Sequence, residues 1–405
     1  MRKWRSFMNE QMQAAKHVMH KLEEAGYEAV LVGGAVRDML LQRPFHDVDV
    51  ATAALPEEVK AIFPKTVDVG IEHGTVLVLV DDVGIEVTTY RTELAYTDHR
   101  RPDGVQFVRN LRDDLQRRDF TMNALAMRAN GELVDYYGGE ADLQAGVIRA
   151  VGNASERFFE DALRMLRAVR FVGQLGFTIE AQTEAAIAEH AQLIEQIAIE
   201  RVQMELNKLF VSPFVTRGIA AMRQTQLSDY VAGTFDEVQW QNVHIEDVQV
   251  GWAYFAYVSQ LDAAEVARAY RLANKEKQFI AQVLTLVAKE TWETIDYFHA
   301  SIDVLRAAQA IRTWQSLAPI TDDVQAVKAS LPIQTKDELA VNGQHVMAWH
   351  DEKRGPWLKD ALAAILEAVV TGDVQNDVQR IKDWFMREWI NERARITGAT
   401  TSKKR

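Results

Sequence analysis

The chain has 405 residues, of which 48% are hydrophobic and 26% are charged, and this composition is typical of a globular protein. It contains no cysteine, which excludes disulfide bonds and thiolate-bound zinc. The formal net charge of −12 argues weakly against a nucleic-acid partner. Residues 380–405 nevertheless carry eight basic and three acidic side chains, which would suit either RNA or a solvated helix.

Residues 1–153 combine strand-like and helix-like patterns. Methionine and leucine side chains at helical spacing predict a structural helix, rather than a targeting peptide, ahead of the first strand. Short apolar runs bounded by turn residues predict strands, and two amphipathic stretches predict short helices. The predicted strands are Ala29–Gly33, Val48–Thr52, Val76–Val80, Ile85–Tyr90, Leu125–Arg128 and Val147–Ala150, and the predicted helices are Val36–Leu41 and Glu57–Phe63.

After Asn153 nearly every segment is amphipathic at helical spacing, interrupted by glycine and proline residues. This order of elements predicts an α+β fold, in which a mixed-sheet head is followed by an all-helical neck, body and tail. No segment approaches the roughly 20 apolar residues of a membrane span, so no membrane association is expected. We place the head in residues 1–153, the neck in 154–215, the body in 216–318 and the tail in 319–405.

A glycine-rich turn follows the first predicted strand. Gly33 and Gly34 permit close approach of a ligand, and Arg37 lies in a short helix whose N-terminal amides favour anionic groups. Asp47 and Asp49 lie on the next strand, where this spacing places both side chains on one face. Adjacent carboxylates require a cation, and Mg²⁺ prefers carboxylates together with substrate phosphates. Together the two motifs predict a metal-dependent nucleotidyl-transfer site.

Two further polar clusters suit a nucleotide. Arg118 lies beside Asp119 and five residues before Asn123, so phosphate and ribose groups would find partners there, although a helix-end ion-pair cluster is the simpler interpretation. Farther on, four charged residues recur at every third position of a predicted helix, and the interleaved apolar residues must face a core. The polar arc therefore predicts the wall of a cleft. Its members are Asp161, Arg164, Arg167 and Arg170.

These motifs resemble those of the polymerase-beta-like nucleotidyltransferases, and specifically the class II tRNA nucleotidyltransferases, the CCA-adding enzymes. The resemblance is most specific before residue 176 and continues more loosely in Arg271–Glu276, Asp337–Gly343 and Gly355–Trp357. It implies a nucleotidyltransferase head and a helical tail that contacts tRNA. It also implies template-independent addition of C, C and A to the 3′ end of tRNA from CTP and ATP, in the cytoplasm, with release of pyrophosphate.

The resemblance assigns roles to the polar residues. Cytosine and adenine present an amino donor beside a ring-nitrogen acceptor, so Asp161 can accept and Arg164 can donate, whereas uracil and guanine present the reverse order. Arg167 and Arg170 are left for phosphate or for packing. The remaining implied assignments are Asp47 and Asp49 for catalysis and Mg²⁺, Gly34 and Arg37 for phosphate, and Arg118 for phosphate or ribose.

Two peripheral features bear on the same reaction. Residues 91–104 are polar and predict a long mobile loop, which in the family helps the switch from adding C to adding A. This loop favours a complete CCA-adding enzyme over a relative that adds only CC. Glu86, on the preceding strand, is a candidate third carboxylate for the metal.

Three alternatives differ in chemistry. A bacterial poly(A) polymerase shares these motifs. A catalytically inactive RNA-binding relative is disfavoured by the intact pair of Asp47 and Asp49. A metal-dependent phosphohydrolase would need paired His-Asp sets, and the dipeptides at His46 and His350 do not supply them. The sequence does not indicate the oligomeric state.

Overall fold

The computed structural model describes residues 2–45, 47–93, 104–321, 323–350 and 355–390, without the side chains of residues 2–9 and 93. The chain forms two compact units. The first consists of the residues up to Leu261 together with Glu265–Leu272. The second consists of Asp262–Ala264 together with the residues from Ala273 onward. No helix in the described ranges is long and apolar enough to cross a membrane.

The first unit begins with the mixed sheet that the sequence predicts. Its helices are α1 (Arg2–Glu24), α2 (Gly34–Leu40), α3 (Pro56–Ile62), α4 (Leu111–Gln116) and α5 (Gly139–Ala145). Its strands are β1 (Ala29–Val32), β2 (Asp49–Thr52), β3 (Thr66–Gly70), β4 (Thr75–Val80), β5 (Val83–Thr89), β6 (Arg91–Glu93), β7 (Val105–Phe107), β8 (Leu125–Met127) and β9 (Leu133–Asp135).

Among the described residues the main sheet has the strand order β3-β4-β5-β2-β1-β8-β9. Strands β2 and β5 pair in parallel, and the other neighbours in this sheet pair antiparallel. All four residues of β1 are buried, and α1 packs against β1, β2 and β5. Such burial contributes roughly 1.5–3 kcal/mol for each large aliphatic side chain. This packing fixes the central strands that carry the polar residues.

Strand register brings the first two sequence motifs together. Val32 pairs with Asp49, so the start of β2 lies beside the glycine turn that follows β1. Val50 pairs with Val87 in the parallel pair, which places Glu86 on the strand next to Asp49. The sheet therefore gathers the turn and the carboxylates at one end of its central strands.

The rest of the chain is helical apart from a two-stranded ladder of β10 (Val147–Ile148) and β11 (Thr178–Ile179). Gly173 allows close helix packing, because a Cβ there would come 2.7 Å from Leu209. The remaining helices of the first unit are α6 (Ala154–Glu160), α7 (Leu163–Leu175), α8 (Ala181–His190), α9 (Ile199–Phe210), α10 (Val215–Gln224) and α11 (Val248–Val258). Next come α12 (Ala263–Tyr270) and then the helices of the second unit, α13 (Asn274–Ala288), α14 (Thr294–His299), α15 (Ile302–Trp314), α16 (Val324–Ala329), α17 (Gly343–Trp349), α18 (Trp357–Thr371) and α19 (Val378–Trp384).

The predicted α+β class is confirmed, with each predicted strand and short helix of the head present at slightly different bounds. The sequence did not predict β3, β6, β7 or β9, and β11 interrupts the neck that was expected to be all-helical. Strands β6 and β7 pair at the two ends of the predicted loop. Residues 94–103 of that loop lie outside the described residues, and the four-part division of the chain stays a prediction.

Candidate active site

A cavity of about 340 Å³ opens in the first unit where the glycine turn, the end of α4 and the start of α7 meet. It is large enough for a nucleotide-sized ligand. Charged side chains dominate its wall. It is lined by Gly33, Gly34, Arg37, Arg117, Arg118, Asp119, Asn123, Asp161, Leu163, Arg164, Arg167, Phe171 and Arg201.

The glycine turn makes room for an arginine. Gly33 has a φ of 72°, in the left-handed region that disfavours a side chain. A Cβ at Gly33 would come 3.0 Å from Nη1 of Arg118. In the described part of the chain no group accepts a hydrogen bond from the buried Nε of Arg118. A phosphate oxygen in the cavity would supply a suitable acceptor.

Every arginine that lines this cavity pairs with a carboxylate. These ion pairs hold each guanidinium in a defined position without a ligand. The pairs are Arg37–Asp38 at 2.9 Å, Arg117–Asp114 at 2.9 Å, Arg118–Asp114 at 3.3 Å, Arg164–Glu160 at 3.3 Å, Arg167–Asp119 at 2.6 Å and Arg201–Asp161 at 3.1 Å.

Asp119 is the centre of a buried polar chain. Its carboxylate accepts hydrogen bonds from Arg167 Nε and from Asn123 Nδ2, and Asn123 Oδ1 accepts from Arg37. Burial acts to raise the pKa of Asp119, but the charge of Arg167 and the hydrogen bonds from Asn123 and Arg167 outweigh it and lower the pKa to about 2. The carboxylate is therefore ionised and acceptor-only, and the hydroxyl of a ribose could donate to it.

Asp119→Asn is expected to destabilise the protein by about 2 kcal/mol at pH 7, because a lowered pKa means that the ionised form stabilises the fold. That contribution is present above the ordinary pKa of 3.8 and is lost as the pH falls toward about 2. The difference in free energy of unfolding between the two proteins should therefore shrink below pH 4. Denaturant titrations over this pH range measure it, with the exposed Asp229→Asn as control. A difference that stays constant with pH would contradict the assignment.

One prediction about the third cluster is wrong. Asp161 does not lie on the same helix as Arg164, because it ends α6 with extended dihedral angles, φ −135° and ψ 100°. Its Oδ1 accepts a hydrogen bond from the backbone N–H of Leu163 at the start of α7. A side-chain acceptor at this position satisfies a donor that the new helix leaves unpaired. Asp161 nevertheless lines the cavity together with Arg164.

Arg164 is buried and held from two sides. Its Nη2 donates to the backbone carbonyl of Arg117 at 2.9 Å, and its Nη1 donates to Glu160 at 3.3 Å. The first contact ties α7 to the cluster around Arg118. Such fixed donors are suited to reading the edge of a base.

The last two arginines of the cluster separate in the structure. Arg167 lines the cavity and pairs with Asp119. Arg170 is absent from the lining of the described cavities. Arg170 is buried and pairs with Glu205. The Cζ atom of its guanidinium lies 3.9 Å from the centroid of the Phe171 ring. This geometry favours the packing role of Arg170 over the phosphate role.

The two predicted catalytic aspartates line a second cavity of about 520 Å³. Gly34 lines both cavities, so the glycine turn lies between them. Arg43 is part of the second wall and donates from Nη1 to the carbonyl of Gln174 at 3.1 Å. The rest of the wall consists of Ala35, Asp38, Pro44, Phe45, Asp47, Asp49 and Leu175.

Asp49 is strained electrostatically. Burial raises its pKa, and the charges of Glu86 and Asp47 raise it further, while Arg118 acts in the opposite direction. A cation at these carboxylates would relieve the repulsion. No group of three potential metal-ligand side chains forms within the described residues, so substrate phosphates and water would complete the coordination. The donor set fits a hard divalent cation of this kind.

Two residues that shape the first cavity were not predicted from the sequence. Arg201 reaches the wall from α9, and Asp114 is a buried carboxylate that pairs with both Arg117 and Arg118. Asp114 lies three and four residues before its partners, a helical spacing that could have indicated the pairs. No local signal links Arg201 to Asp161, because the two are 40 residues apart in the sequence.

Three protein-family models match the chain. The model described as "Poly A polymerase head domain" matches residues 29–149, and that for tRNA nucleotidyltransferase domain 2 matches residues 243–385. The model for an RNA- and SrmB-binding site of polymerase A matches residues 176–236.

Curated relatives match over nearly the whole chain. A CCA-adding enzyme of Geobacillus thermodenitrificans is 43% identical over 397 residues, covering 94% of this chain and 98% of the relative. A CCA-adding enzyme of Bacillus cereus is 40% identical over 392 residues, covering 93% and 98%.

Solved structures agree with this similarity. The CCA-adding enzyme of Bacillus stearothermophilus in complex with CTP has a TM-score of 0.85 and 40% identity, covering 96% of this chain and 99% of that one. The Thermotoga maritima CCA-adding enzyme complexed with tRNA has a TM-score of 0.65 and 21% identity, covering 92% and 94%, which is a likeness of fold.

Proposed function

Because the chain belongs to the CCA-adding enzyme family, we propose a role for each of its site residues in the reaction of that family. The protein is a tRNA nucleotidyltransferase that adds C, C and A to the 3′ end of tRNA without a template, using CTP and ATP. The 3′ oxygen of tRNA bonds to the α-phosphorus, the bond from that phosphorus to the β-phosphate oxygen breaks, and pyrophosphate leaves.

One observation supports the proposed roles most directly. Two cavities share Gly34, and one contains the candidate base-reading residues while the other contains the paired aspartates. A nucleoside triphosphate that passes the glycine turn would place its base on one side and its phosphates on the other. Bond formation between nucleotide and tRNA requires this order of groups.

The base side of the nucleotide meets fixed polar groups. Asp161 accepts from the amino group of cytosine or adenine, and Arg164 donates to the neighbouring ring nitrogen. Asp119 and Asn123 face the ribose, while Arg118, with its unpaired buried Nε, binds a phosphate. Arg167 acts through Asp119, which it pairs with and holds ionised. Gly34 and Arg37 lie where the phosphates pass.

Asp47 and Asp49 would hold the divalent cation, for which we propose Mg²⁺, whereas Glu86 acts on Asp49 through its charge and forms no three-carboxylate metal group with the pair among the described residues. A cation bound there lowers the pKa of the 3′ hydroxyl and neutralises the triphosphate. The raised pKa of Asp49, caused by burial and then by Glu86 and Asp47, supports a cation at this position. The wall around Arg43 and Phe45 leaves room for the 3′-terminal nucleoside of tRNA beside the aspartates.

The alternatives considered from the sequence do not hold. The relatives from Geobacillus and Bacillus described above, which match over more than 90% of the chain, are CCA-adding enzymes rather than poly(A) polymerases or inactive RNA-binding proteins. We also propose a cytoplasmic location, where tRNA is the substrate, and a head, neck, body and tail bounded at residues 153, 215 and 318. The end of the head model at residue 149 supports the first of these bounds.

Incubation of the full chain with tRNA that ends at the discriminator base tests the function. With CTP alone we expect two added nucleotides, with CTP and ATP three, and with ATP alone none. Product lengths on a sequencing gel give the answer. A long run of A from ATP alone would instead identify a poly(A) polymerase.

A further inference from the structure

We propose that Arg201 is a positioning residue that sets base discrimination by fixing the carboxylate of Asp161. The proposal rests on the function above and names a determinant of its specificity. Arg201 lies on α9, outside the segments that carry the candidate base-reading pair. It is close enough to that pair to control its geometry.

The contact between the two side chains is a fork. Arg201 Nη2 donates to Asp161 Oδ2 at 3.1 Å, and Nη1 donates to Oδ1 at 3.5 Å. The backbone N–H of Leu163 donates to the same Oδ1 at 3.1 Å. Both carboxylate oxygens therefore have a donor that fixes the plane of the group, and each retains further acceptor capacity.

Asp161 needs this support because of its place in the chain. It is the residue between α6 and α7, and its side chain is 18% exposed. An extended residue at a break between two helices has no helical neighbours that restrict its side chain. Without Arg201 the N–H of Leu163 holds only Oδ1, and the carboxylate can rotate about that contact toward solvent.

Helix α9 is a rigid support for Arg201. Its Val202, Leu206 and Leu209 are at most 1% exposed, and Glu205 pairs with Arg170 of α7. Trp252 of α11 donates from Nε1 to Asn207. The guanidinium is thus presented from a helix that is packed on several sides.

The chemical consequence concerns uracil. A fixed carboxylate group offers acceptor oxygens, so it repels the carbonyl of uracil and accepts from the amino group of cytosine. Without Arg201 the carboxylate is held only at Oδ1, by the N–H of Leu163, so Oδ2 neither meets the amino group reliably nor confronts the carbonyl. Loss of Arg201 should therefore weaken binding of CTP and ATP more than binding of UTP and GTP.

Arg201 also lines the cavity, so direct contact with phosphate is the competing explanation. Phosphates are common to all four nucleotides. Removal of a phosphate contact should weaken the binding of all four nucleotides equally. Removal of a positioning residue should instead change the ratio of CTP and ATP binding to UTP and GTP binding.

The test measures equilibrium binding of CTP, ATP, UTP and GTP to the full chain by calorimetry, without tRNA. For Arg201→Ala we expect CTP and ATP to bind about 10- to 100-fold more weakly, with UTP and GTP changed much less. Arg201→Lys, which keeps the charge but not the fork, should retain part of the discrimination. In an Asp161→Ala background, Arg201→Ala should change the CTP-to-UTP ratio no further.

Arg128→Ala is the matched control, because it also removes an arginine that pairs with a carboxylate, Arg128–Glu28 at 2.9 Å, outside the lining of either cavity. The ratio of CTP binding to UTP binding should be the same for Arg128→Ala as for the wild type. The proposal would be overturned if Arg201→Ala weakened the binding of all four nucleotides equally, or if it left the ratio of CTP binding to UTP binding unchanged. A wild-type chain that binds CTP and UTP equally would overturn it as well. If Arg201→Ala fails to fold, the Lys variant decides by the same ratio.

A parallel extension assay on tRNA separates this proposal from the function itself. A wild-type chain that discriminates among nucleotides in binding but extends no tRNA would refute the function. The ratio of CTP binding to UTP binding would then still test the positioning role of Arg201. A chain that extends tRNA normally but shows an unchanged ratio for both Arg201 variants would refute the proposal alone.

Discussion

Asp47→Asn and Asp49→Asn are each expected to abolish addition of both C and A. Each change removes a negative charge from the pair that we propose holds the divalent cation, and Asn is a much weaker ligand for such an ion. We expect rates to fall by more than about 100-fold, since losing even an outer partner of a metal site costs 10- to 100-fold. Single-turnover incorporation of CTP and ATP into tRNA at saturating Mg²⁺ measures the effect.

The folded chain should tolerate both changes. Burial and then the charges of Glu86 and Asp47 raise the pKa of Asp49, so a neutral side chain relieves repulsion in the protein without metal. Thermal unfolding and tRNA affinity should stay close to those of the wild type. Asp68→Asn, at an exposed position on β3, is the control and should retain full activity. Near-normal incorporation by Asp47→Asn and Asp49→Asn would remove the aspartates from the catalytic role.

Asp161→Ala and Arg164→Ala are expected to slow CTP and ATP incorporation by about 10- to 100-fold, because each leaves a polar group of the base without a partner, a loss of about 1–3 kcal/mol. The ratio of the CTP and ATP incorporation rates to the UTP and GTP rates should fall for both variants. Uracil and guanine, which present donor and acceptor in the reverse order, are then no longer repelled by a mismatched group. Single-nucleotide incorporation with each of the four triphosphates measures the change.

The other two arginines of the cluster provide contrasting variants. Arg167→Ala should slow all four nucleotides alike, because Arg167 supports Asp119 at the proposed ribose position. Arg170→Ala should mainly lower the free energy of unfolding, because it leaves the buried Glu205 without its ion-pair partner. If Asp161→Ala and Arg164→Ala keep wild-type discrimination against UTP, the base is recognised elsewhere.

Local patterns predicted the centre of the head well. Strands β1 and β2 are short apolar runs that end at turn residues, and their pairing brings Asp49 to the glycine turn. Strand β3 lies at the edge of the sheet, where Val67 and Val69 are 47% and 52% exposed. Both valines alternate with polar residues, a strand signal that the interpretation of the sequence did not use.

The third cluster shows where periodicity fails. A spacing of three residues predicted one helix from Asp161 to Arg170, but helix α6 ends before Asp161 and α7 begins only at Leu163. An aspartate just before an apolar run is also a helix-start signal, and this signal was outweighed by the regular spacing. The burial of Arg170 depends on Glu205, and the support for Asp161 depends on Arg201, both from α9. Partners 35 and 40 residues away arise from helix packing, which no local pattern contains.

The ion pairs around the nucleotide cavity have a further consequence for the enzyme between turnovers. A site for a triphosphate gathers many guanidinium groups, and without ligand their mutual repulsion would favour an open or collapsed wall. Here each of the six lining arginines has a carboxylate partner in the protein, and Asp114 serves two of them. The protein thus supplies counter-ions for these arginines from its own side chains. In the proposed reaction, departure of pyrophosphate would leave a wall in which five carboxylates balance most of the charge of the six arginines, so the next nucleotide would meet a site that needs little reorganisation.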